Sequence, residues 1–314
     1  YKFKVPFVLF PTAPSMDGFA SSVAALTIDN LKTTVLAKPP EALFIDIDVI
    51  NNAPPILKKA GFGDLMGKIT ALLDWQLSHF LTDEKIDYEV LNTVKDTYLK
   101  TLYSVESKEF SKNLLEGLII SGQMMTKVGS SRPASGSEHH ISHFLEYHKV
   151  KAYHGIKVGL ATLYILEFYR HFLSLSKDEI LERTHYNLNM DTWQDLIRKY
   201  FKPTHEGVIK TNLNRVLKIN DRKFREGIIK RLVDKKEFID QMIRESLTIY
   251  EDLINAYKML GMPTNYKDIG VCDELFLMSF ICAPNIRDRF TILHLYEFLG
   301  LTDKVTESFQ NTLF

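Results

Sequence analysis

Ala42-Leu43-Phe44-Ile45-Asp46-Ile47-Asp48-Val49-Ile50-Asn51-Asn52-Ala53-Pro54-Pro55 is where the chain changes character. Upstream lie short apolar runs broken by prolines, which suit strands. Downstream, from the Pro54-Pro55 pair that opens a helix, apolar residues recur at helical spacing with turn signals between them. The spacing predicts strands at Phe7 to Phe10, Thr33 to Ala37 and Ala42 to Val49, and no convincing strand thereafter. Phe7 to Phe10, continuous and apolar, reads as a strand buried on both faces. The fold class that follows is an α/β remnant at the amino terminus, residues 1–50, joined to a mainly α unit, residues 51–314.

Between the first two strands, Thr12 to Ser22 is rich in small and hydroxyl residues. At the carboxyl end of a strand in an open α/β sheet such a loop lies where ligands bind. It reads equally well as a polar turn entering a helix capped by Ser15 or Asp17. In the helical part, Gly61-Phe62-Gly63-Asp64-Leu65-Met66-Gly67 imitates a nucleotide-binding glycine motif, but its spacing is wrong and helix rather than strand precedes it. Asp64 leads Ile69, Leu72, Leu73 and Leu77 along an amphipathic pattern, a position suited to a charge at a helix amino terminus or to a ligand.

Phe110 to Met125 reads as a helix, and Ser131-Arg132-Pro133-Ala134-Ser135-Gly136-Ser137-Glu138-His139-His140-Ile141-Ser142-His143 follows, holding three of the ten histidines. His139 and His143 stand four apart, on one face if helical. His154-Gly155-Ile156-Lys157 then starts the helix Val158 to Phe172. Asp64, His139 and His154 together offer one carboxylate and two imidazoles with a position left open, the pattern of a catalytic zinc site. Taken alone, each histidine reads more readily as a hydrogen-bonded or surface histidine than as a ligand.

The 314 residues are 45% apolar and 25% charged, with 39 basic side chains against 39 acidic ones. That balance gives no reason to expect nucleic acid as a partner. Two cysteines, Cys272 and Cys282, form neither a disulfide framework nor a thiolate metal motif, so a reducing cytoplasmic setting is expected. The apolar run Val158 to Leu166 falls well short of the roughly 20 residues that span a bilayer, so no membrane span is expected. Residues 176–265 are charge-rich and open on a Ser176-Lys177-Asp178-Glu179 capping box; they read as a solvated helical extension, with a partner-binding surface as the alternative.

Four stretches carry a resemblance: Pro11-Thr12-Ala13-Pro14-Ser15-Met16-Asp17-Gly18-Phe19-Ala20-Ser21-Ser22, Ala60 to Lys68, Ser131 to His139, and His154-Gly155, with a weaker echo at Arg287 to Leu293. In this order they resemble the motifs of sn-glycerol-1-phosphate dehydrogenases, relatives of iron-type alcohol dehydrogenases, glycerol dehydrogenases and dehydroquinate synthases. The resemblance implies the end of a Rossmann-like dinucleotide-binding domain followed by an all-helical metal-binding domain. It implies Asp64, His139 and His154 as metal ligands, His143 and Asp17 as residues facing substrate, and Thr12, Ser15 and Ser21 as residues lining NAD or NADP. His140 receives no role.

The activity implied is interconversion of dihydroxyacetone phosphate and sn-glycerol 1-phosphate with a divalent metal, Zn²⁺ or Ni²⁺. The alternatives are a dehydrogenase of glycerol or another polyol, or a remnant that binds a partner without catalysis. Arg132 or Lys68 is the candidate for the substrate phosphate, each reading equally well as a surface charge, and a homo-oligomer is left open. Two departures stand out. The family's glycine-rich phosphate turn is missing upstream of the Thr-Ala-Pro-Ser loop, so the chain is expected to be a piece of a longer protein. Ile156 occupies a position where the family usually has Glu after His-Gly; if that Glu orients His154, its loss is expected to weaken metal affinity or change the preferred ion.

Overall fold

The computed structural model describes residues 5–28 and 31–309. Four short strands come first: β1 (Val8–Leu9), β2 (Val23–Ile28), β3 (Leu31–Leu36) and β4 (Ala42–Leu43). β1 pairs with β4 in parallel, Val8 opposite Ala42 and Leu9 opposite Leu43. β2 and β3 pair antiparallel, from Val23 opposite Leu36 to Ile28 opposite Leu31. The helices follow: α1 (Ile47–Asn51), α2 (Pro55–Met66), α3 (Lys68–Thr82), α4 (Tyr88–Leu102), α5 (Phe110–Val128), α6 (Ser137–Tyr147) and α7 (His154–Ser174). The remainder comprises α8 (Lys177–Glu182), α9 (Met190–Tyr200), α10 (His205–Ile219), α11 (Arg222–Leu247), α12 (Tyr250–Leu260), α13 (Asp273–Cys282), α14 (Ile292–Leu299) and α15 (Thr302–Phe309). The α/β remnant plus mainly helical architecture is thus the one observed.

Local chemistry explains the boundaries. The strand expected at Ala42 to Val49 stops at Leu43, because the Asp46 side chain accepts from the Asp48 and Val49 amides and caps α1. Strand β3 covers most of the expected Thr33 to Ala37. Strand β2, its partner, was not expected. Pro55 occupies the first turn of α2, where its missing N–H costs nothing. The capping box at Ser176 forms as expected, with Glu179 reaching back to the Ser176 amide.

Two expectations about burial fail. Phe7, Val8 and Phe10 are exposed rather than buried, since the two-stranded β1–β4 pair has no layer packed over both faces among the described residues. Phe10 stacks on the equally exposed Phe44, their centroids 5.1 Å apart. Residues 1–4, which precede it, lie outside the described residues. The segment 176–265 is not a solvated appendage. Its longest helix, α11, buries Ile228, Ile229, Leu232, Ile239 and Ile243 in the same apolar core as Leu73, Leu77 and Phe168. Each such side chain, fully buried, contributes roughly 1.5–3 kcal/mol. Trp193 and Ile197 of α9, with Val208 and Val216 of α10, form a second cluster around Phe144 on the back of α6.

The closest helix pairing brings α2 against α7, and glycine makes it possible. A Cβ on Gly63 would lie 2.2 Å from the Gly155 carbonyl oxygen, and one on Gly155 would lie 1.8 Å from that of Ala60. The Gly-Phe-Gly sequence rejected as a nucleotide motif is therefore a helix-contact motif. No helix among the described residues is long and apolar enough to cross a membrane.

Candidate metal centre and substrate pocket

Three helices converge on one point. Asp64 lies in the last turn of α2, His139 in the first turn of α6, and His154 opens α7. Asp64 is therefore not the N-terminal helix charge that the sequence pattern suggested. It lies at the end of α2, where the helix dipole disfavours a carboxylate, and Lys68 supplies the compensation. The Lys68 Nζ, fully enclosed, stands 2.9 Å from Asp64 Oδ1 and 2.8 Å from Asp17 Oδ2. Asp17 in turn donates its amide to Asp64 Oδ2 and accepts from Ser121 Oγ. Burial alone would push the Asp64 carboxyl up, but Lys68 and His139 reverse that and hold it well below the usual carboxylate range. Burial would likewise lower the Lys68 amine, yet Asp17 and Asp64 keep it above its ordinary value. Both groups are charged at neutral pH.

The start of α6 is fixed by Asp74 of α3. Its Oδ2 accepts from the Ser137 amide at 2.7 Å and from Ser137 Oγ at 2.6 Å. Its Oδ1 accepts from Tyr169 of α7 and from the Ile292 amide, each at 2.7 Å. Beside it the buried Glu138 accepts from Thr70 Oγ1 and the Gly136 amide, and faces His139 Nδ1 at 2.7 Å. With Nδ1 donating to Glu138, His139 presents Nε2 toward Asp64 Oδ1, 3.4 Å away. Two ligands each about 2.1 Å from a common tetrahedral ion would stand about 3.4 Å apart.

Asp64, His139 and His154 bring potential ligand atoms within 4.8 Å of one another, and so do His143, Glu146 and His154. Hydrogen bonding separates the two groups. In the second, Glu146 bonds His154 Nδ1 at 2.7 Å and His143 Nδ1 at 3.1 Å, so those atoms already serve one another. In the first, the Nδ1 atoms of both histidines are taken by Glu138 and Glu146, leaving Nε2 of each for a ligand. Charge points the same way. The carboxylates of Asp17, Asp64, Glu138 and Glu146 gather here, with Lys68 paired to the first two and Lys157 3.6 Å from the last, an acidic surround that favours a bound cation.

A cavity of about 560 Å³ opens on these residues, lined by Asp17, Ser21, His139, His143, Glu146 and His154 among others. Ser21 reaches this wall; Thr12, exposed, and Ser15 do not line it. His143 is buried, and burial together with His154 lowers its imidazole to about 3, so it is neutral at physiological pH. His140 is turned away against His294, with neither ring nitrogen hydrogen-bonded. The two expected phosphate contacts fail for different reasons. Lys68 is locked between Asp17 and Asp64. Arg132 donates to Glu84 and to the Phe290 carbonyl and faces a different cavity.

Sequence reasoning missed Glu146, whose signal was its position three residues after His143 on the same helix. It concentrated instead on Ile156, which is buried in the apolar core. Orientation of His154 is supplied by Glu146 regardless of Ile156. Glu138 was missed as well, though its place beside His139 was a signal, whereas nothing local marked Asp74.

Residues 1–54 match the family described as iron-containing alcohol dehydrogenase. The glycerol-1-phosphate dehydrogenase (NAD(P)+) of Bacillus subtilis is 39% identical over 301 residues, covering 93% of this chain and 64% of that protein. The Bacillus licheniformis protein of the same name is 30% identical over 313 residues, covering 96% and 64%. That of Bacillus velezensis is 41% identical over 180 residues, covering 54% and 46%. The chain thus spans less than two thirds of the length of these curated relatives. Among solved structures, a probable glycerol dehydrogenase from Sinorhizobium meliloti superposes with a TM-score of 0.54 at 14% identity, over 97% of this chain and 71% of that one. An alcohol dehydrogenase from Oenococcus oeni gives 0.53 at 15% identity, over 98% and 66%. At such identities the structural likeness concerns the fold alone.

Proposed function

Because the chain belongs to the glycerol-1-phosphate dehydrogenase family, within the iron-containing alcohol dehydrogenase superfamily, we propose that it carries the catalytic half of a metal-dependent dehydrogenase. The reaction is NAD(P)-linked interconversion of dihydroxyacetone phosphate and sn-glycerol 1-phosphate. The observation that carries this reading is the meeting of Asp64, His139 and His154 at the wall of the cavity. Those three side chains would hold the divalent cation, Zn²⁺ on the one-carboxylate, two-imidazole set, with Ni²⁺ the other candidate. When bound, the metal supplies Lewis acidity at the substrate carbonyl oxygen and the nicotinamide supplies hydride.

The remaining work falls to this chain's own residues. Glu138 and Glu146 fix the tautomers and ring orientations of His139 and His154. Lys68 and Asp17 hold Asp64 in its ionised form. His143, tied at Nδ1 to Glu146, turns Nε2 to the pocket, where it hydrogen-bonds the substrate hydroxyl and passes a proton to or from it. Ser21, which lines the cavity, would contact the dinucleotide, with Thr12 and Ser15 on the same loop. The two free thiols suit a reducing, cytoplasmic setting.

The test compares NADH and NADPH oxidation by the metal-loaded protein with dihydroxyacetone phosphate and with dihydroxyacetone. A strong preference for the phosphorylated ketone is expected. Equal rates would move the assignment to a polyol dehydrogenase, and bound metal without any dinucleotide-dependent activity in the full-length protein would defeat it. Metal content of Asp64→Ala and His154→Ala, each expected to fall, checks the ligand set separately.

A further inference from the structure

The cavity has a second, cationic end opposite in character to the carboxylate-rich one. Arg287 lines it together with Ser131 and Ser135. The Arg287 Nη1 donates to Ser131 Oγ at 3.2 Å, and among the described residues no carboxylate pairs with this guanidinium. Arg289 lies behind it, donating to the Ser135 carbonyl at 2.8 Å and to Ser131 Oγ at 3.1 Å. Among the described residues no carboxylate stands within ion-pair distance of it either, whereas the neighbouring Arg132 pairs with Glu84. Burial, reinforced by Arg287 and Arg132 and only partly offset by Glu84 and Glu138, pulls the Arg289 guanidinium down to about 9. The Ser135 side chain adds a second observation: the residue is 5% exposed, lines the cavity, and its hydroxyl has no hydrogen-bond partner.

An under-neutralised guanidinium and an unpaired buried hydroxyl on one pocket wall are both costs unless an anion answers them. A guanidinium fork matches the oxygens of a phosphate monoester, and a serine hydroxyl donates to the same group. We infer that Arg287, Ser131 and Ser135, backed by Arg289, form the phosphate-binding end of the pocket, receiving the phosphate monoester of a substrate whose carbonyl end lies at His139 and His154. The inference rests on the triose phosphate reading above. It replaces Arg132 and Lys68 with a residue that reaches the cavity free of a carboxylate, and makes Arg287 the residue that separates phosphorylated from unphosphorylated substrates.

The test is calorimetric binding of sn-glycerol 1-phosphate, inorganic phosphate and glycerol to the Zn²⁺-loaded full chain without dinucleotide, for wild type, Arg287→Gln, Arg287→Lys and Ser135→Ala. Loss of a charge-assisted contact predicts binding of the phosphate compounds roughly 10- to 100-fold weaker in Arg287→Gln. Partial recovery is expected in Arg287→Lys, with glycerol binding and metal content unchanged in both. Arg287→Gln that keeps its metal and binds sn-glycerol 1-phosphate as tightly as wild type overturns the subsite while leaving the proposed function standing. If Arg287→Gln does not fold or hold metal, Ser135→Ala decides: binding weakened about 2- to 10-fold supports the subsite, and unchanged binding overturns it. A wild-type chain that binds sn-glycerol 1-phosphate no better than glycerol brings down the proposed function, and the subsite with it.

Discussion

Replacing Glu146 with Gln is the sharpest probe of the metal centre, because this one carboxylate serves two imidazoles. Its oxygens stand 2.7 Å from His154 Nδ1 and 3.1 Å from His143 Nδ1, with Lys157 Nζ at 3.6 Å. Burial alone would raise this carboxyl, but the hydrogen bonds from His143 and His154 hold it well below the usual carboxylate range, so it is an anion throughout the working pH range. A glutamine keeps one accepting oxygen and turns an amide N–H₂ toward the other imidazole N–H, setting donor against donor. Either His154 loses its orienting partner or His143 does. Loss of such a partner typically costs 10- to 100-fold in metal affinity, roughly 1.4–2.7 kcal/mol. Competition for Zn²⁺ against a chromophoric chelator measures the change, with circular dichroism melts to establish that the fold is kept. An affinity within about threefold of wild type in a folded Glu146→Gln protein would refute the orienting role. The same assay separates the two possible ligand sets. If Asp64, His139 and His154 hold the ion, Asp64→Asn abolishes tight binding and His143→Ala does not; the reverse pattern would assign it to His143, Glu146 and His154.

The remaining predictions concern packing, charge and pH. Gly63→Ala places a methyl against the Gly155 carbonyl oxygen; forcing α2 and α7 apart should cost about 1–3 kcal/mol of stability and lower Zn²⁺ affinity, and an unchanged melt would show the contact to be soft. Lys68→Met leaves Asp17 and Asp64 buried without their shared cation, a loss of about 3–5 kcal/mol in urea unfolding of the metal-free chain, smaller when Zn²⁺ is present. His140, His143 and His294 have imidazoles lowered first of all by burial, His143 to about 3. The unfolded chain, with imidazoles near 6.5, therefore takes up more protons than the folded one as pH falls below that value. Stability then drops by up to roughly 1.4 kcal/mol per pH unit for each group, opposed by His139, whose raised imidazole contributes in the other direction. Melts of the metal-free chain that do not move between pH 7.5 and 5 would contradict this. Calorimetry in buffers of different ionisation enthalpy should also register a proton released when Zn²⁺ displaces it from His139.

What the sequence disclosed divides along the range of the interactions. His139 and His143, four residues apart, are governed by helix periodicity and could be read directly. Caps such as Ser176 with Glu179 are equally local. Asp64 and His154 meet only because α2 and α7 approach through glycine, and the sequence displays those glycines without saying what they touch. The Ala42 to Val49 strand was over-extended because Asp46 and Asp48 alternate with apolar residues as strand residues do, while Asp46 in fact turns back to cap a helix. Strand β2, Val-Ala-Ala-Leu-Thr-Ile, shows no clean alternation and escaped notice. The segment 176–265 looked solvated because its charges dominate the composition. The apolar stripe Ile228, Ile229, Leu232, Ile239, Met242 and Ile243 is the part that decides its place, and it is spaced for one buried helix face. Arg287 lay within the weaker echo at Arg287 to Leu293 without a role to read from it, and Asp74 acts across long sequence separations, where no local pattern could reveal it.

Asp74 also sets a timetable. Its oxygens collect Ser137, Tyr169 and Ile292, the last 218 positions further along the chain. During synthesis the amino-terminal helices emerge first and begin to pack. The clamp that seats α6, and with it Glu138 and His139, stays incomplete until residue 292 has left the ribosome. A nascent chain halted shortly before that point would hold the histidines without their final scaffold. Completion of the clamp is thus a late event in the synthesis of each molecule, waiting on a backbone amide 218 positions downstream.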